Sequence, residues 1–403
     1  MNKKYYKFVY ILLIIGIFVR LNFIYVFKGM SDPWNSDSIY EYLVDGQVYM
    51  KVPRLPTEHV YTYINGMLVE AFGFTISFWI RVIGLVGDIG ILFLLFKITK
   101  KMRKSEIFPL LVCAAYIFNP ISFQLTVLHG KADQAVIFFI LLAAYIELSS
   151  SWLRYQKTIA VASALLLAIY LQPWAILFFP AFLFKRDNVK EKKLFLLIYV
   201  LGIILPFAML LDPYMVTRFV RNIMFYAGSK HDHLGWALLF DRVPVIGDIF
   251  NNYYVKIAMP LQICCAVVIG YIGRGKNILI VLFINTLAIY AVSPGLATQY
   301  LYWVIPIGVI FIDWVFCLYS VLGFMWQLNF FQYLIYTEKS YGNYHQFVPI
   351  TSMDIFYNYW LYPEQFVRHA HFIVGGILIP ALSVIWLIYL FKKYDFLVEL
   401  TEN

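Results

Sequence analysis

Phe118-Asn119-Pro120-Ile121-Ser122-Phe123-Gln124-Leu125-Thr126-Val127-Leu128-His129-Gly130-Lys131-Ala132-Asp133-Gln134 ends one apolar run and leads into another that begins at Ala135. Its last part sets an imidazole, an ammonium, a carboxylate and an amide close together: His129, Lys131, Asp133 and Gln134. Apolar runs of about 20 residues recur along the chain, the length a helix needs to cross a hydrocarbon core. The stretch therefore reads as a polar turn at a membrane edge. It joins two helices of an all-α fold.

Composition supports that reading. Of 403 residues 62% are hydrophobic and only 14% charged, and mean hydropathy is +0.73, outside the range of soluble globular chains. The expectation is a polytopic transmembrane helical bundle of about 12 spans. It forms a single domain over residues 1–403, with large loops at 28–75, 212–255 and 327–367. Four cysteines, of which Cys264 and Cys265 adjoin, lie in apolar runs and form neither a disulfide framework nor a metal spacing. The net charge of +9 is distributed by topology and does not indicate nucleic acid.

Of the 32 basic residues 19 sit in short segments: Lys3, Lys4 and Lys7; Lys97 to Lys104; Arg154 and Lys157; Lys185 to Lys193; Arg274 and Lys276; Lys392 and Lys393. The positive-inside rule makes these segments cytoplasmic, with both termini inside and the chain integral to the plasma membrane. The first apolar run, to about Phe27, reads as an uncleaved span. Residues 107–126 read as one span and 158–184 as a hairpin about Gln172-Pro173-Trp174. Residues 300–326 read as one long span or as a hairpin near Asp313-Trp314. The parity of the last span favours the hairpin. All seven histidines then fall on the extracytoplasmic side.

Five groups carry chemistry in this layout. His129-Gly130-Lys131-Ala132-Asp133-Gln134 is either a solvated turn with Asp133 capping the next helix or a pocket wall. A helix N-terminus with Lys131 beside it suits an anion. Asp32 and Asp37 follow the first span, and a positioned carboxylate removes the proton of an attacking hydroxyl. A lone loop Asp is more often a turn residue. Arg218 and Arg221, three apart, suit a phosphate or anchor at the interface. Ser293-Pro294-Gly295 is a turn by default, followed by Gln299 and Tyr300. Arg368 stands with His369 and His371 at the mouth of the last span and is a functional candidate by its depth. Phosphate-binding loops and zinc-protease motifs are missing from the sequence. No ligand set for a metal is legible, although the chemistry leaves room for a divalent cation.

Several of these stretches, in this order, resemble a known family. Asn119-Pro120-Ile121 with His129-Gly130-Lys131-Ala132-Asp133 resembles the N-P-x-x-x…H-G-Q-F-D segment of multispanning GT-C glycosyltransferases. Bacterial members related to GPI mannosyltransferases carry versions of it. Arg81 to Leu92 looks like the family's second span. Leu171-Gln172-Pro173-Trp174 resembles its short K-Q-x-x hairpin. Ser293 to Trp303 is similar to its S-P-x-x-x-x-Q-Y-L-x-W segment. The likeness covers roughly residues 30–315. It departs at Lys131-Ala132, where the family has Gln-Phe, and at Leu171, where it has Lys.

The resemblance implies an inverting transfer of one sugar, mannose or another hexose. The donor is a polyprenyl-phosphate-linked sugar, and the acceptor a lipid-linked or cell-surface glycan on the extracytoplasmic face. It places the catalytic base at Asp37, with Asp32 as runner-up. It makes His129, Lys131, Asp133, Gln134, Gln172, Gln299 and Tyr300 donor- or substrate-binding, with Arg218, Arg221 or Arg368 on the phosphate. The alternatives are a lipid-linked glycan flippase or transporter, and a polysaccharide polymerase or ligase.

Overall fold

The computed structural model describes residues 3–26, 67–69, 71–73, 76–102, 105, 107–129, 133–149, 151–210, 235–240, 243–295, 300–337 and 372–396. The described residues are helical throughout, with no strand among them. In chain order the helices are α1 (Lys3–Val26), α2 (Ile76–Met102), α3 (Phe108–Ile117) and α4 (Pro120–Gln124), the last continued by a π turn (Leu125–His129). Then come α5 (Asp133–Glu147), α6 (Arg154–Leu171), a 3-10 segment (Pro173–Phe178) with α7 (Phe179–Leu183), and α8 (Val189–Leu210). The second half holds α9 (Trp236–Phe240), α10 (Pro244–Ile249), α11 (Val255–Ile272), α12 (Ile278–Val292), α13 (Leu301–Gly308), α14 (Trp314–Thr337) and α15 (Ile379–Lys393).

Three helices among the described residues are long and apolar enough to cross a membrane: Phe78–Met102, Lys256–Gly275 and Ile373–Lys393. A fourth counts if the bent pair Phe108–Ile117 and Pro120–Val127, at 47°, is one span. By this measure the described helices do not reach the expected 12 or so. The outward faces are as apolar as the interior. Ile14 and Phe18 on α1, Leu197 and Ile204 on α8, and Val268 on α11 are all exposed. A soluble helix keeps such a face polar, so these faces suit lipid.

Three sequence expectations change. Residues 107–126 are not one straight span. Pro120 has no N–H to continue the ladder, and Asn119 restarts the helix by accepting from the Ile121 and Ser122 amides. The loop expected from 327 begins later, because α14 runs on to Thr337. The loop expected over 212–255 contains α9, α10 and a π turn (Phe250–Tyr254). The open choice at 300–326 resolves as two helices. A 3-10 turn (Val309–Phe311) ends the first, and the Asp313 carboxylate accepts from the Phe316 amide at 2.8 Å to start the second.

The main core cluster is built largely on α2, α3, α5, α6, α12 and α13, with smaller clusters at Ile24, Leu85 and Val127 and at Ala237 and Phe250. Small residues set its closest approaches. A Cβ on Gly87 would stand 2.8 Å from the Ala135 amide nitrogen, and one on Gly90 would stand 2.6 Å from the Phe138 ring. The α2 backbone thus lies directly on α5, as in close-packed membrane helices.

The basic segments gather at one end of this bundle. Lys101 sits 4.5 Å from the centre of the Tyr145 ring, Arg186 pairs with Glu147, and Lys157 donates to the Glu147 carbonyl at 3.2 Å. Lys185 donates to the Arg274 carbonyl at 2.8 Å. α5 begins at Asp133 and ends at Glu147, so its two ends are about 22 Å apart at 1.5 Å per residue.

Candidate functional site

The Asp133 end of the bundle collects pieces that are far apart in the chain. Asp133 is the first residue of α5 and is buried. Its Oδ1 accepts from Trp303 Nε1 on α13 at 2.7 Å. Trp303 meets the Tyr300 ring edge-on at 5.3 Å, and Tyr300 lies 5.1 Å from the Trp174 ring. Phe178 completes this aromatic wall, 5.9 Å from Trp303. Trp174 follows Gln172, which ends α6 in extended conformation and turns the chain into the 3-10 segment. Asp133, Trp174, and Tyr300 with Trp303, which belong to three stretches singled out in the sequence, are therefore neighbours. The aromatic rings are too deeply buried to be an open platform. They act as a wall that fixes Asp133.

Main-chain hydrogen bonds tie segments together at this end. The Gly235 amide donates to the Gly375 carbonyl at 3.2 Å, and the Ala237 amide donates to the Pro294 carbonyl at 2.7 Å. Gly235 has a φ of 133°, and a Cβ there would lie 2.8 Å from the Pro294 oxygen, so glycine is required. Ser293 Oγ donates to the Gly295 carbonyl at 2.8 Å and closes the expected turn. Trp236 Nε1 donates to the Ala291 carbonyl, and the Tyr254 hydroxyl donates to that of Val292.

Beneath Asp133 lies a polar network whose centre, Arg20 and Asp88, was not among the expected site residues, although Gln134 was. Arg20 of α1 and Asp88 of α2, both fully buried, form an ion pair at 2.9 Å. Arg20 also donates to the Thr126 hydroxyl at 2.9 Å, to the Ile117 carbonyl at 2.7 Å, and to the carbonyl and hydroxyl of Ser122, each at 3.1 Å. Thr126 and Tyr116 donate to Asp88. The Tyr302 hydroxyl joins that of Tyr116 and reaches Asp88 Oδ1 at 3.4 Å. Gln134 Nε2 donates to Thr126 at 2.8 Å and ties the network to the start of α5. Arg81 Nε donates to the Val127 carbonyl in the π turn at 2.8 Å. The signal for these residues was a charge inside an apolar run, expensive to bury unless paired.

An apolar cleft of about 410 Å³ opens beside the network, between α1, the α3–α4 break and α14. Gly16, Phe118, Phe123 and Phe324 line it. Gln124 is its polar lining residue, with an Oε1 that has no hydrogen-bond partner among the described residues.

Of the expected site residues, Asp133, Gln134 and Tyr300 come together here, with Gln172 at the edge beside Trp174. His129 ends the π turn. Asp32, Asp37, Lys131, Arg218, Arg221, Gln299 and Arg368 lie outside the described residues. Among the described residues no three His, Cys, Asp or Glu side chains are grouped to hold a metal ion. No protein-family model matches this chain, and no curated protein matches it significantly.

Proposed function

We propose that the chain is an integral-membrane glycosyltransferase of the GT-C type. It moves a single hexose from a polyprenyl-phosphate donor to a lipid-linked or cell-surface glycan. The observation that carries this reading is the meeting of Asp133, of the 129–134 stretch, Trp174, of 171–174, and Tyr300 with Trp303, of 293–303, around the Asp133–Trp303 hydrogen bond of 2.7 Å. Those are the stretches in which the sequence resembles that family. The basic segments at the opposite end of α5 support a site on the extracytoplasmic face, with termini and short basic loops inside. The full reading has about 12 spans.

The chemistry is an inverting displacement. Asp37, or Asp32 in its place, removes the proton of the acceptor hydroxyl. The oxygen attacks the anomeric carbon as the sugar–phosphate bond breaks. The phosphate leaves on its lipid, held by Arg218, Arg221 or Arg368. Asp133, His129, Lys131, Gln134, Gln172, Gln299 and Tyr300 shape the pocket. The apolar cleft at Gly16 and Phe324 suits an aliphatic chain.

The test supplies purified protein with a radiolabelled polyprenyl-phosphate sugar and a panel of glycan acceptors. Wild type is expected to transfer label, and Asp37→Ala to lose about 100-fold or more. Full activity in both Asp37→Ala and Asp32→Ala removes the base assignment. Lipid moved across vesicles without transfer replaces the enzyme with a flippase. Formation of repeating chains would instead identify a polymerase.

A further inference from the structure

We infer that Arg20 is a positioning residue. Its guanidinium takes the place of a helix hydrogen bond lost at the α3–α4 break and so fixes the segment that leads to the Asp133 site. In an unbroken helix the Ile117 carbonyl would accept from the Ile121 amide. Here that amide goes to Asn119 Oδ1 instead, at 3.0 Å. A buried carbonyl left unmatched costs free energy comparable to a lost hydrogen bond. Arg20 Nη2 fills the gap at 2.7 Å, and Nη1 adds a bond to the Ser122 carbonyl on the other side of the break, which also accepts from the Leu125 amide. A planar fork with several donors spans both sides of a break in a way a single ammonium does not.

The charge is matched by Asp88, which also accepts from Thr126 and Tyr116. Every group facing the Asp88 carboxylate is a donor, which holds the carboxylate in one geometry, while Arg20 Nε has no partner among the described residues. Its outlet is Thr126, which receives Gln134 from the first turn of α5. The path from α1 to Asp133 is therefore Arg20, Thr126, Gln134. α1 is also the helix that leads in sequence toward Asp32 and Asp37. The kinetic consequence rests on the transferase reading above: Arg20 would hold the two halves of that site in register. The clamp itself does not rest on it.

The experiment compares wild type, Arg20→Lys and Thr126→Val in nanodiscs by amide hydrogen exchange. Both variants are expected to exchange about tenfold faster at residues 121–129 and 133–136, as one or two hydrogen bonds are lost. Exchange in the α6 and α12 interiors should stay at wild-type rates. Unchanged exchange at 121–129, or an equal rise across the whole bundle, overturns the clamp. Thr126→Val deletes one hydroxyl and no charge, so it carries the comparison if Arg20→Lys does not accumulate. In the transfer assay Arg20→Lys is expected to lose about 100-fold in kcat while donor KM stays near wild type, as misplacement costs rate. Wild-type kcat in Arg20→Lys overturns the register role. A wild type with no transfer at all sinks the transferase reading, and the exchange comparison still decides the clamp.

Discussion

The Asp133 carboxylate on α5 and the Trp303 indole on α13 meet at 2.7 Å across 170 positions of sequence, both side chains buried. A carboxylate in an apolar interior is expensive unless it is hydrogen-bonded, and an indole N–H is a fixed, single donor. The pair thus orients the first turn of α5. Trp303→Phe deletes the donor and keeps one aromatic ring, with a small cavity where the pyrrole ring was. The expected cost is about 1–3 kcal/mol, read as a lower unfolding midpoint in detergent. A midpoint equal to wild type would mean that Asp133 does not depend on this bond.

The buried Arg20–Asp88 pair makes a second prediction, about stability alone. Arg20→Met or Asp88→Leu leaves one uncompensated charge in the bundle, with a cost of about 3–5 kcal/mol. The double variant removes both charges and is expected to be more stable than either single one. Ranking the three by thermal unfolding checks this. A double variant worse than both singles would show that the pair contributes more than charge matching.

Packing of α2 on α5 gives a third. Gly87→Ala drives a methyl against the Ala135 amide, which is backbone, whereas Gly90→Ala meets the Phe138 ring. A ring can swing aside and a helix backbone cannot. Gly87→Ala should therefore cost about 1–3 kcal/mol, and Gly90→Ala less. The order of the two unfolding midpoints is the measurement, and the reverse order counts against the α2–α5 contact.

The two ends of the bundle can be told apart by labelling. In a background without Cys113, Cys264, Cys265 and Cys317, a cysteine at Arg274 and one at Val245 should react with an impermeant maleimide from opposite sides of the membrane. Both native positions are exposed. Labelling of both from one side would reject the assignment of basic and site ends to opposite leaflets.

Much of the helix layout was legible because it follows from local chemistry. Gln172-Pro173 ends α6 where a Pro must, and Asn277 caps α12 by accepting from the Leu279 amide. The α3–α4 break had a signal too, in Asn119-Pro120, but the apolar residues around it read as one run. The extension of α14 to Thr337 was hidden by its polar Gln327 and Gln332. Of the site, the stretches were legible one at a time and Asp133 was named for its own charge. Arg20 was not named although it too is a charge in an apolar run, and Asp88 entered only within the Arg81 to Leu92 likeness. Their partnership, 68 positions apart, exists only after folding.

The main-chain ties of Gly235, Ala237, Pro294 and Gly375 have a consequence for how this molecule can change over time. They use amides and carbonyls, so most of them are indifferent to side-chain identity. Ala237 joins through its amide and Pro294 through its carbonyl, groups that a change of side chain leaves in place. Substitutions here reach the ties only through packing, as at Gly235 and Gly375, where an added Cβ would meet Pro294 and Trp326.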